Sequence, residues 1–217
     1  MRYRAFFCAI AFTVMMWCGV AAAQDGQGDW YDDTGIYLVH DVDRHFYDAR
    51  VDLLEKSYAE AAEEIRTAAG FIKMKANRSS EEAEKDLMAS YEELKKLADK
   101  VQRGSVDSVE ELNTAFAHAH TALAMNNYMQ GEAAWKMKDQ KNAGSSMRAA
   151  AMHLERAVAW TEYEGEKIML DAAKAAATMA EKMLKKDTVA SGEVDKAIKD
   201  LGKAIERLSK KEGQEGQ

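Results

Sequence analysis

Not one proline interrupts the 217 residues of this chain. Proline removes a backbone donor and breaks helices, so its absence from a sequence rich in Ala, Glu, Lys and Met predicts long helices throughout. Val/Ile/Thr alternation of the kind that makes strands is nowhere sustained. The expected fold is all-α, with about six helices arranged as two helical hairpins packed in a bundle plus a long C-terminal helix.

The first 23 residues have a different character. Arg2 and Arg4 precede an apolar run from Ala5 to Val20 that ends in Ala21, Ala22 and Ala23, the order of a secretory signal peptide. Cleavage there predicts a periplasmic or secreted protein beginning at Gln24. Cys8 and Cys18 both fall in this leader, so the mature chain is expected to hold no disulfide, thiolate metal site or cysteine nucleophile. Of 30 basic residues, Arg2 and Arg4 leave with the leader, and the remaining 28 face 37 acidic ones for a formal charge of −9. That sign repels phosphate backbones, which argues against a nucleic-acid partner. No later run is long enough to span a bilayer.

The expected organisation is a signal peptide over 1–23, a flexible segment over 24–33, one helical domain over 34–210 and a disordered tail over 211–217. Asp33 or Thr34 can cap a first helix with Leu38, Val42, Phe46, Ala49 and Leu53 on its inner stripe. A break at Lys56, Ser57 and Tyr58 leads to a second helix facing inward through Ala61, Ile65, Ala68, Ala69 and Ile72. Ser79 with Glu82, and Ser108 with Glu111, read as capping boxes for a third and a fourth helix, with Gly104 as a C-cap between them. A turn at 138–140 precedes a helical pattern over 141–186, bent or split at Gly144 and Gly165, and Ser191 caps the last helix.

Shifting the chain by 82 residues lays Lys56, Ala61, Arg66, Ala68 and Ala69 on Lys138, Ala143, Arg148, Ala150 and Ala151. Shared hairpin packing, with Ala at the helix crossing, accounts for this echo. Each hairpin is similar to one tetratricopeptide unit, without that array's 34-residue period or its prolines. The stretch Gly35-Ile36-Tyr37-Leu38-Val39-His40-Asp41-Val42 resembles the opening of the YfdX family of secreted bacterial helical proteins, as does the order of leader, Asp-Val helix and two hairpins. That resemblance implies a periplasmic, stress-associated helical protein and supplies no catalytic residues.

Chemistry-bearing patterns are sparse. There is no Gly-rich phosphate loop, nucleophile elbow or haem-attachment motif, so no enzyme is expected and no cofactor is required. Non-enzymatic binding or scaffolding of a protein or peptide partner is the leading expectation, in a groove bounded by Trp135, Trp160 and Tyr163. The alternative is a copper or zinc site in which His45, His118 and His153 meet between helices, with Asp41 or Met125 as a further ligand. His118 and His120, two residues apart on one helix, cannot share a face. Edge histidines bonded to neighbouring helices are the structural counterpart of that idea. A homo-oligomer, including a coiled-coil dimer through 141–186, is compatible with the pattern.

Overall fold

In a computed structural model the described residues are 28–106, 108–161 and 166–215, with side chains described over 38–106, 108–161 and 166–211. They form seven helices and no strand: α1 (Gly28–Leu54), α2 (Tyr58–Ala76), α3 (Glu81–Gln102), α4 (Val109–Lys136), α5 (Gln140–Ala159), α6 (Glu166–Leu184) and α7 (Ser191–Glu215). The all-α expectation holds, with one more helix than anticipated. The pattern over 141–186 is two helices: α5 is capped by Trp160, and α6 packs back along it. Gly144 lies inside α5, where a side chain would meet Met183 and Ala180 of α6 within 3.2 Å, so this glycine permits a close helix crossing and makes no break. Helix α1 starts at Gly28, ahead of the expected Asp33/Thr34 cap, and α7 continues past 210 to Glu215. The leader and Tyr163 lie outside the described residues.

Two capping expectations are corrected. Ser80, not Ser79, caps α3 by accepting from the Ala83 amide, while the Ser79 hydroxyl turns back to donate to the Lys75 carbonyl. Ser108 makes no side-chain cap; its hydroxyl pairs with the Glu110 carboxylate, and the Glu111 side chain accepts from Lys100 of α3 at 2.5 Å.

Four helices end in one shape. Lys56, Gly104, Lys138 and Lys186 adopt positive φ of 63°, 62°, 63° and 59°. At each, the next amide reaches a carbonyl five residues back, Ser57 to Asp52, Ser105 to Lys100, Asp139 to Ala134 and Asp187 to Lys182. This is the Schellman closure, which satisfies carbonyls that the helix end would leave unpaired. Lys56 and Lys138 are thus equivalent turns, as the 82-residue echo requires. Lysine bears a steric cost in this region that glycine escapes. Replacing Lys56, Lys138 and Lys186 together by Gly should therefore raise stability by about 0.5 kcal/mol per site, the strain relieved less the added freedom of the unfolded chain. A urea midpoint at or below that of the parent would count against it.

Two apolar clusters make up the core. One joins α1, α2, α3 and the N-terminal half of α4 through Phe46, Ile65, Ile72, Leu94, Phe116 and Leu123. The other joins α5, α6 and α7 to the C-terminal half of α4 through Met147, Leu154, Met169, Met183 and Leu201. The stripes expected on α1 and α2 face the core: Val42, Phe46, Ala49, Ala61, Ile65, Ala68, Ala69 and Ile72 are shielded from solvent, while Leu38 and Leu53 at the ends of the α1 stripe are half-buried. Helix α4 belongs to both clusters and carries most of the buried polar residues: His120, Thr121, Asn126 and Asn127. No described helix is long and apolar enough to cross a membrane.

Candidate functional site

The region where α1, α4 and α5 meet concentrates charge and aromatic surface. Helix α1 also packs on α5 there. A cavity of about 330 Å3 opens between them, lined by Asp43, Tyr47 and Arg50 of α1, Asn113 of α4, and Arg156, Ala159, Trp160 and Thr161 at the end of α5. Spacing explains the lining: Asp43, Tyr47 and Arg50 recur at four and three residues, one face of a helix. Trp160 stands edge-on to Phe116 with centroids 5.2 Å apart, and the Arg50 guanidinium lies 5.9 Å from its ring centre. The indole thereby forms an apolar wall with a cation over it.

Arg156 and Asp43 cross the cavity, the guanidinium Nε lying 3.3 Å from Oδ2. The other carboxylate oxygen, Oδ1, is 3.7 Å from Nε2 of His120, close enough for electrostatic attraction and too far for a hydrogen bond. Behind it, Nδ1 of His120 meets Nδ1 of His153 at 3.0 Å, and both rings are fully buried. One proton occupies that contact. We assign His120 as the Nε2–H tautomer because that hydrogen faces the Asp43 carboxylate; its Nδ1 then accepts from Nδ1–H of His153. Burial, aided by the Arg156 charge, pushes the His120 pKa down to about 3. His153 is held well below the usual histidine range by burial first, then by His120, Lys75 and Arg156. Both rings are therefore neutral near pH 7.

Several polar atoms here hold no hydrogen bond within the protein although they are buried: Nε of Arg50, Oδ1 of Asn113 and Nε2 of both His120 and His153. Arg50 Nε and Asn113 Oδ1 belong to residues that line the cavity. An unpaired buried polar group costs about 1–3 kcal/mol, so a ligand that brings an acceptor to Arg50 Nε and a donor to Asn113 Oδ1 gains more than it would at a fully paired surface.

The residues anticipated from sequence do not converge. His45 pairs through Nδ1 with Glu64 of α2 and stacks on Phe71, whereas His118 is held bidentately by Glu93 of α3 at 2.9 and 3.1 Å. Only His153 lies at the centre, and its partner is His120. Among the described residues no group of three or more His, Cys, Asp or Glu is placed to hold a metal ion. Trp135 and Trp160 do not share a groove either. They lie near opposite ends of α5, a 20-residue helix about 30 Å long, and Trp135 donates to Asp195 of α7 at 2.6 Å.

His120 escaped the sequence reading although a signal was present. Phe116, Ala117, Leu123 and Ala124 flank it at three and four residues and all are buried, so His120 continues their stripe. Comparison with family models, with curated proteins and with solved structures finds no match.

Proposed function

We propose that this is an exported, non-enzymatic binding protein whose α1/α4/α5 cavity captures a free carboxylate beside an apolar group, as at the C-terminus of a peptide. One observation carries the reading: two guanidiniums, Arg50 and Arg156, meet an indole wall in a cavity whose polar atoms are incompletely paired. With Asp43 the cavity lining holds two cations and one anion, so it suits a single negative charge even on an acidic protein. Arginine is the side chain best shaped for carboxylates, which it binds through two parallel hydrogen bonds. About 330 Å3 accommodates one terminal residue and not a folded domain. The leader-like sequence of residues 1–23 supports the exported location.

N-acetyl-phenylalanine and its amide differ only in the charge of that group, which makes them a matched pair of probes. Titration calorimetry should show the acid binding and the amide binding at least about tenfold more weakly. Arg50→Gln should weaken the acid by roughly ten- to hundredfold, the range expected for a lost charged hydrogen bond, while leaving the amide nearly unaffected. Equal binding of acid and amide would overturn the reading.

A further inference from the structure

The cavity and the buried imidazoles share one residue, Asp43. We propose that capture of a carboxylate in the cavity is coupled to uptake of a proton by the His120–His153 pair. This inference rests on the carboxylate-binding reading of the cavity.

Geometry makes the connection. In the free protein the Asp43 carboxylate is divided between Arg156 at 3.3 Å and His120 at 3.7 Å. The guanidinium, 42% exposed, faces this carboxylate from the cavity side. A carboxylate entering the cavity competes with Asp43 for Arg156 and also brings a negative charge of its own. Both effects act in one direction. Asp43 becomes available to His120, and the local field turns more negative, so a positive imidazolium is better tolerated than before. The proton adds at the site exposed by the tautomer order. With His120 keeping Nε2–H toward Asp43 and accepting from His153 through Nδ1, the vacant lone pair is Nε2 of His153. Protonation there yields an Asp–His–His chain in which one positive charge is shared along two rings. No bond other than N–H forms.

The surroundings oppose protonation in the free state and leave the ligand to tip the balance. Helix α1 presents Asp43 and the edge of Phe46 to His120, with ring centroids 5.4 Å apart. Helix α5 presents His153 and the Arg156 charge. From α2 the Lys75 charge acts on His153, the ammonium being tethered to Gln130 of α4 at 3.4 Å. Two cations and burial thus face one carboxylate, and that carboxylate is already claimed. The sign follows: bound protein holds more protons than free protein, so affinity rises as pH falls.

The test is calorimetric titration of the full mature chain with N-acetyl-phenylalanine at pH 5.5 and 7.5, in buffers of different ionisation enthalpy. The probe's carboxyl has a pKa near 3.5 and stays ionised across this range. The expected result is net proton uptake at pH 5.5 and binding at least about threefold tighter than at pH 7.5. In His153→Gln, which lacks the accepting nitrogen, the uptake should vanish, which separates this pair from the exposed His40 and from the carboxylate-paired His45 and His118. Should that variant fail to fold, ring-proton resonances of the parent protein decide, since saturation with probe should raise the titration midpoint of a buried histidine. Binding without proton uptake overturns the coupling and leaves the cavity reading standing. No binding at either pH overturns both.

Discussion

Acidification from pH 7 to 4.5 should destabilise this protein by about 3–5 kcal/mol through two residues alone. His120 and His153 are buried and neutral in the fold, His120 with a pKa of about 3 against an ordinary value of 6.5. The unfolded chain therefore binds protons that the folded chain refuses. Each depressed histidine contributes stability that is present above pH 6.5 and lost below it, at about 1.4 kcal/mol per pH unit, until the folded-state pKa is reached. Because the rings are in contact, protonating one disfavours the other in the fold, so the second ring stays neutral and the loss continues to lower pH. Urea unfolding at pH 7, 5.5 and 4.5 measures the slope. A variant carrying His120→Gln and His153→Gln should lose most of it, since the carboxylates titrate mainly below this window. An unchanged slope in that variant would show that the stability loss has another origin. Saturating N-acetyl-phenylalanine should flatten the parent slope, because a ligand that promotes protonation of the folded state narrows the difference between folded and unfolded chains.

Phe46→Ala should cost about 3–5 kcal/mol at pH 7, a third or more of the stability typical of a domain this size. The Phe46 ring is fully buried, stacks on Phe116 with centroids 4.0 Å apart and planes inclined by 9°, and meets His120 with its edge at 87°. Removing it forfeits the apolar burial, leaves a cavity between α1 and α4, and deprives the histidine pair of its apolar screen. Water entering that space would solvate the imidazoles, so the variant should also show a shallower acid slope than the parent. Leu54→Ala, at a position 62% exposed, should stay within about 0.5 kcal/mol and serves as the comparison. A Phe46→Ala cost below about 1 kcal/mol would mean that α1 is not a structural part of this core.

Periodicity carried much of the fold. The buried faces of α1 and α2 follow from apolar residues recurring every three or four positions, and the turns at Lys56 and Lys138 follow from the interruption of those stripes. The boundary between α5 and α6 was harder to place. Gly144 and Gly165 both suggest a bend, but space beside a neighbouring helix decides whether a glycine breaks a helix or admits a partner. At Gly144 the close approach of Met183 and Ala180 settles that question. The capping serines illustrate the same limit, since Ser79 and Ser80 are chemically equal and only the backbone path selects Ser80.

For the site, residue type alone did not show which histidines meet. His45 and His118 carry carboxylate partners from neighbouring helices, whereas His120 is drawn into the core and joined to His153 by the register of α4 against α5. Trp160 survives as a wall of the cavity, and Trp135 is spent on α7. A proline-free, alanine-rich chain with apolar residues at helical spacing already determines helices, their inner faces and several of their ends, because those depend on neighbours within a few residues. Which cations, carboxylate and imidazoles meet is decided only in three dimensions. Asp43, His120 and Arg156 are far apart along the chain, and their meeting depends on how α1, α4 and α5 cross.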